Sequence, residues 1–211
     1  MRLKIEERSM LEGERGPARQ KAMELLVKYG DALGAEEFVD VDNVFVLSGL
    51  FSYTDVFDDI DMDQIASEYF LDSRDRVIVD KVNAYTTNHL FTIDLANDHA
   101  NLVRAPKILQ NLIAATQDYC KRIGIGITGT CTPYQCGNAP VFGEHVAWVE
   151  SSAISYANAV IGARTNIEGL ESSFASALTG KTPLWGFHLD ANRKGNLRVE
   201  IDWDAMALDT V

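Results

Sequence analysis

Cysteine is scarce in this 211-residue chain, which holds three: Cys120, Cys131 and Cys136. So few thiols, odd in number, rule out a disulfide framework and point to packing, metal binding or catalysis in a reducing compartment. The cytoplasm is therefore the expected location. Positive charge is also short: 19 Lys and Arg face 31 Asp and Glu, a formal net charge of -12. Such a surface repels phosphate backbones and anionic headgroups, so neither nucleic acid nor membrane is expected as a partner. No run of 18 apolar residues could span a bilayer, and the opening MRLKIEERSMLEGERG lacks the apolar stretch of a secretory signal. What remains is ordinary globular composition, 46% hydrophobic and 24% charged, sufficient for one domain with its own core.

Periodicity divides the chain into alternating strands and helices. In PARQKAMELLVKY, residues 17–29, Ala22, Leu25, Leu26 and Tyr29 fall on one helical stripe behind a proline suited to the first turn. EFVDVDNVFVLSG reads as strand, DVFDDIDMDQIASEYFL as a helix with an acidic face, and RVIVDKVNAY as strand. Over 102–122, Ile108, Leu112, Ala115 and Tyr119 predict a third main helix, with Gly124 just past its end. IGIGIT reads as a short strand, and EHVAWVESSAISYANAVIG as a helix beginning near residue 145. A polar link, ARTNIEG, then leads to a short helix ending near Gly180, and PLWGFHL and LRVEIDW read as strands. The fold class expected is α/β, a largely parallel sheet flanked by helices. A chain that stops directly after a strand predicts a sheet completed by a partner or by further sequence; a complete domain with a frayed terminus fits the pattern equally well.

In open α/β sheets, ligands gather beyond the carboxyl ends of the strands. The segment ITGTCTPYQCGNAPVFGEH, residues 127–145, is expected there, with Thr130, Thr132, Tyr134 and Asn138 able to orient a ligand or a metal-bound sulfur. From the residues alone Cys131 admits four readings: an iron–sulfur ligand, a zinc ligand with Cys136 and His145 whose fourth partner would be the distant His89, His99 or His188, a nucleophile activated by His145, or an inert thiol. Cys120 shares its helical spacing with Leu109, Ile113 and Thr116 and is assigned to packing. In GARTNIEG, Arg164 suits a carboxylate or phosphate, Asn166 could orient it, and Glu168 is a base or a helix cap; solvated loop charges are the plainer account. For GFHLDANRKG the plain account, a turn with its charges in water, is stronger still.

Taken in order, EERSMLEGERGPARQKAMELLVKYGDALGAE, TCTPYQCGNAPVFGEHVAWVESSAISYANAVIGARTNIEG and ALTGKTPLWGFHLDANRKG closely resemble the large-subunit, or catalytic, region of the aconitase X dehydratases. The resemblance spans nearly all of residues 1–211 and covers about the first half of that region. It implies an aconitase-like fold and a hydro-lyase that removes water from a small hydroxy acid, such as mevalonate 5-phosphate or cis-3-hydroxy-L-proline. It also implies an iron–sulfur cluster, with Cys131 as the metal ligand carried over. The remaining ligands would come from the second half of the large region, and a small swivelling subunit or domain would complete the site.

On the same footing Arg164 and Asn166 are expected to bind the substrate's anionic group, and Asn138, Thr86 and Thr87 to line the substrate. Glu144 and His145 are expected to serve as the catalytic pair or the hydrogen-bond network beneath it. Two segments depart from the family pattern. Members commonly carry PTTLNPAGMD where this chain has AYTTNHLFTIDLAND, and NREGGPSA where it has NIEGLESS, so that Ile167 stands in place of an arginine. The alternative to a catalytic subunit is a non-catalytic remnant or assembly subunit that keeps the fold and the partner surface without a cluster.

Overall fold

The computed structural model describes residues 1–47, 60–89 and 107–200. Two helices open the chain, α1 (Ile5–Leu11) and α2 (Pro17–Ala32), the latter started by Pro17 behind Gly16, whose φ of 91° lets the chain reverse between them. Strands β1 (Phe38–Asp40) and β2 (Asn43–Leu47) follow, then a short helix α3 (Met62–Ile65) that widens into a π-helical turn, Ala66–Phe70. Next come β3 (Tyr85–His89), helix α4 (Lys107–Ile123) and β4 (Gly126–Ile127). The last elements are β5 (Val146–Trp148), α5 (Ser151–Tyr156) with a π-helical extension Ala157–Ile161, α6 (Leu170–Thr179) and β6 (Lys181–Pro183).

Four strands form one parallel sheet in the order β4-β3-β2-β5, while β1 and β6 pair antiparallel in a separate ribbon. The α/β architecture with a parallel sheet is as the alternation of elements implies. Central strand β2 shows why: Val44, Phe45 and Val46 are all buried, as a strand covered on both faces requires. Successive side chains point to opposite faces. Val44 and Val46 join Ala22, Leu26, Leu112, Ile123, Phe174 and Leu178, so α2, α4 and α6 share one face's core. Phe45 joins Trp148, Val149, Ala153 and Ala157, so α5 covers the other. Helix α6 is buried from Ser172 to Thr179, and its Ser173, Ala175, Ser176 and Ala177 are small enough to let α2 and β2 approach closely.

Two polar devices fix the frame. Trp148 Nε1 donates to Asn43 Oδ1 at 2.9 Å, a buried bond that ties β5 to the start of β2. Lys181, at the start of β6, is buried between Asp40 of β1 and Glu6 of α1, the latter at 3.2 Å. Both carboxylates favour the charged ammonium and outweigh the burial that opposes it, so the Lys181 pKa is raised.

Several local expectations need correction. EHVAWVESSA does not start a helix near 145: Val146–Trp148 is a fully buried sheet strand, and the helix begins at Ser151. A short continuous apolar run carries no period that separates the two. In RVIVDKVNAY the alternation is real, for Val77 and Val79 are buried and Ile78 is exposed, but 77–82 packs on the core without a ladder and β3 starts only at Tyr85. PLWGFHL contributes Pro183 to β6 and then turns as a 3-10 helix, Gly186–His188. Residues 197–200 form no strand, and the rest of LRVEIDW lies outside the described residues, as does most of DVFDDID. The ARTNIEG link is not solvated, since Thr165, Asn166 and Glu168 are buried.

Candidate metal centre

All four strands of the main sheet run the same way, so their carboxyl ends open on one edge. Three of them deliver a donor there. His89 is the last residue of β3, Cys131 follows β4 by four residues, and Glu150 follows β5 by two. Cys131 Sγ lies 3.1 Å from His89 Nε2, and His89 Nδ1 lies 3.4 Å from Glu150 Oε1. One donor atom from each residue falls within 4.8 Å of the others. The imidazole is buried against the Phe45 ring, centroids 6.2 Å apart, and the thiol is exposed.

Burial acts on both His89 and Cys131. Burial lowers the His89 pKa against the opposing pull of Glu150, while burial and then the Glu150 carboxylate raise that of Cys131. Glu150 itself has φ 71° and ψ 121°, a conformation that non-glycine residues rarely adopt. It occupies the N-cap of α5, yet its side chain makes no capping bond there. Its carboxylate faces His89 instead.

The loop that carries Cys131 is held from below. Asn138 is fully buried; its Nδ2 donates to Thr87 Oγ1 of β3 at 2.7 Å, and its Oδ1 has no partner among the described residues. Thr86 is buried too, its hydroxyl donating to Ala84 O. Thr130 and Thr132 bond to one another, and Tyr134 stacks on Tyr156 of α5 with ring centroids 3.9 Å apart. Cys136 is exposed and stands outside the donor group, and Cys120 is a core residue that accepts from Asn88 Nδ2. The imidazole beside Cys131 is thus His89, not His145.

His145 belongs to a second constellation. Its Nδ1 lies 2.9 Å from Nδ1 of His188, and the two rings stack with centroids 5.1 Å apart. His188 is buried and its Nε2 lacks a partner among the described residues. Burial, then His145, Arg164 and Arg193 push its pKa down to about 3, and His145 is lowered chiefly by burial as well. Arg164 donates to His188 O at 3.0 Å and to Asp190 Oδ1 at 2.5 Å. Asn166 donates to Trp185 O and accepts from Phe187 N, which binds the 185–193 turn to the 162–169 loop. Glu144 accepts from Val141 N and closes the turn before it. The residues singled out in the sequence therefore divide: Cys131 lies at the sheet edge, Asn138 is bonded to Thr87 in the middle of β3 and Thr86 sits near that strand's start, while His145, Arg164 and Asn166 cluster with His188.

Residues 1–191 match the family profile described as "Aconitase X first domain". The chain belongs to the aconitase X family. The phosphomevalonate dehydratase large subunit of Thermococcus kodakarensis is 42% identical over 202 residues, covering 95% of this chain and 47% of that subunit. The cis-3-hydroxy-L-proline dehydratase of Pseudomonas aeruginosa is 27% identical over 201 residues, 95% of this chain and 32% of that enzyme. Among solved structures, the holo form of Thermococcus kodakaraensis aconitase X superposes with a TM-score of 0.73 at 39% identity, covering 92% of this chain and 45% of that one. This aconitase X chain thus spans about half the length of the large subunits it matches. No helix among the described residues is long and apolar enough to cross a membrane.

Glu150 is the site residue that sequence reading missed, and His89 entered it only as one of three distant histidines, with His99 and His188, able to complete a zinc site. Glu150 stood in the motif FGEHVAWVESSA, but there it read as one residue of a helix. His89 ends a strand whose start was placed nine residues too early, so nothing in the pattern marked it as a strand-end donor.

Proposed function

We propose that this aconitase X chain, residues 1–211, is the first part of the large-subunit region of a hydro-lyase that removes water from a small hydroxy acid at an iron–sulfur centre. The observation that carries the reading is the convergence of Cys131, His89 and Glu150 at the carboxyl edge of the sheet. Thiol, imidazole and carboxylate suit iron in kind. They bring one thiol, and a cluster needs more, so the other thiolates come from the second half of the large region and a small subunit completes the site. The higher identity to phosphomevalonate dehydratase large subunits than to the hydroxyproline enzymes favours mevalonate 5-phosphate over cis-3-hydroxy-L-proline as substrate. The cytoplasm is the location consistent with a thiol-dependent metal site.

When bound, an iron with an open position supplies Lewis acidity toward the substrate hydroxyl. The chain's own residues set the surroundings. Cys131 anchors the metal. Asn138, held by Thr87 on the backbone fixed by Thr86, presents a buried carbonyl, without a partner among the described residues, as an acceptor for substrate. Arg164 holds the substrate's anion by exchanging Asp190, which is largely exposed and gives up little when displaced. Asn166 steadies the turn that positions Arg164, and Glu144 with His145 forms the hydrogen-bond network beneath, His145 being the neutral imidazole suited to proton transfer.

The test is anaerobic iron–sulfur reconstitution of the chain together with the second half of the large region and the small subunit, followed by a dehydration assay on mevalonate 5-phosphate. Visible cluster absorbance and turnover are expected, both lost in Cys131→Ser. A variant that keeps both refutes the reading. The presence of a single thiol in the donor group favours one alternative, an assembly subunit without a cluster, for which reconstitution gives no absorbance under any pairing.

A further inference from the structure

We infer that His89 is itself a metal ligand, through Nε2, beside Cys131, and that Glu150 is the positioning residue that holds its ring. The inference rests on the reading that Cys131 anchors the metal, and it adds a mixed thiolate–imidazole coordination.

The geometry carries it. A tetrahedral metal bound to sulfur at about 2.3 Å and imidazole nitrogen at about 2.0–2.1 Å holds those two atoms about 3.5 Å apart. In the resting chain they are 3.1 Å apart, so a separation of roughly half an ångström admits the ion. The exposed thiol gives the ion its entry, and the buried ring gives it a fixed wall. His89 turns Nε2 to the sulfur and Nδ1 to Glu150 Oε1. A metal-bound histidine usually donates its other ring N–H to a carboxylate, which fixes the tautomer and strengthens the nitrogen as a ligand. Glu150 Oε1 stands beside Nδ1 at 3.4 Å, an ion-pair separation rather than a formed hydrogen bond in the resting chain, and its backbone is held in an unfavourable conformation while doing so. A helix N-cap needing only to start α5 would take Ser, Thr, Asp or Asn with ordinary dihedrals.

The test uses the full 211-residue chain and Co2+ alone as the probe. Thiolate-to-cobalt charge-transfer absorbance reports Cys131. Proton NMR reports the ring: a histidine bound through Nε2 keeps its Nδ1–H and gives one strongly shifted resonance that exchanges away in D2O. Wild type and Cys136→Ser are expected to show both signals. His89→Ala is expected to lose the shifted resonance, keep the charge-transfer band at high Co2+, and bind at least tenfold more weakly. Glu150→Gln is expected to keep both signals with affinity lowered about 10–100-fold, the usual cost of removing a carboxylate behind a ligating histidine. Circular dichroism on each variant separates these losses from unfolding. A charge-transfer band without the shifted resonance in wild type overturns the inference and leaves Cys131 as the anchor. Absence of the band in wild type likewise overturns the inference, since the thiolate and imidazole of this chain then hold no metal between them, and survival of the band in Cys131→Ser overturns the reading on which the inference rests.

Discussion

Replacing Glu150 by glycine is expected to stabilise the fold while weakening the site. At φ 71° and ψ 121° a side chain costs about 1–3 kcal/mol of backbone strain, which glycine does not incur. Against this, glycine gives the unfolded chain extra freedom worth about 0.4–1 kcal/mol. The carboxylate makes no N-cap bond to α5, so no capping energy is forfeited, and the backbone bond from Ile154 N to Glu150 O survives. The net gain is about 0.5–2 kcal/mol. Glu150→Ala is the control, because it removes the same carboxylate and keeps the strain. In urea unfolding followed by far-ultraviolet circular dichroism, a slope of about 2 kcal/mol per molar turns the gain into a midpoint rise of roughly 0.3–1 M. The expected order is Glu150→Gly above wild type, with Glu150→Ala near wild type, while Co2+ binding falls in both variants. A glycine variant no more stable than the alanine variant would show that the backbone at 150 stores no strain, and would remove the conformational part of the case for a built site.

The histidine pair predicts an acid limit. The His188 pKa is pushed down in the folded state, so the fold favours the neutral ring; its stabilising effect is present above the unfolded value of about 6.5 and is lost as pH falls toward about 3. Unfolding midpoints measured from pH 7 to 4 should drop steadily, and His188→Asn should flatten the slope; an unchanged slope refutes the assignment. Asn43→Ala strands the buried Trp148 N–H and should cost about 1–3 kcal/mol, whereas the same change in Trp148→Phe should cost far less. Additive costs in that cycle would show that the bond does not couple β2 to β5.

The contrast between what was legible and what was not has a physical origin. Helix α2 announced itself because Ala22 and Leu26 repeat on one face against a charged one, and the α/β class followed from elements of contrasting period. Strand β5 was hidden because Val146, Ala147 and Trp148 are buried on both faces, and a run without alternation has no period to read. The cysteine loop was legible from its composition, and its family motifs marked Cys131. Its partners were not, since His89 and Glu150 approach Cys131 only through the lateral order β4-β3-β2-β5, which no local pattern encodes. The turn holding His188 was misjudged for a related reason: Arg164 and Arg193, solvated charges in one dimension, donate to carbonyls 24 and 30 residues away.

The clasp of Lys181 with Glu6 and Asp40 sets a timetable for the newborn chain. Helix α2 leaves the ribosome about 150 residues before α6 and β6, the elements that cover it, are complete. At about 5–20 residues per second the apolar face of Ala22, Met23 and Leu26 stays bare for roughly 7–30 s. Helix α2 thus waits for α6 and β6, and factors that guard exposed apolar helices have a long opportunity while the segment between them is made.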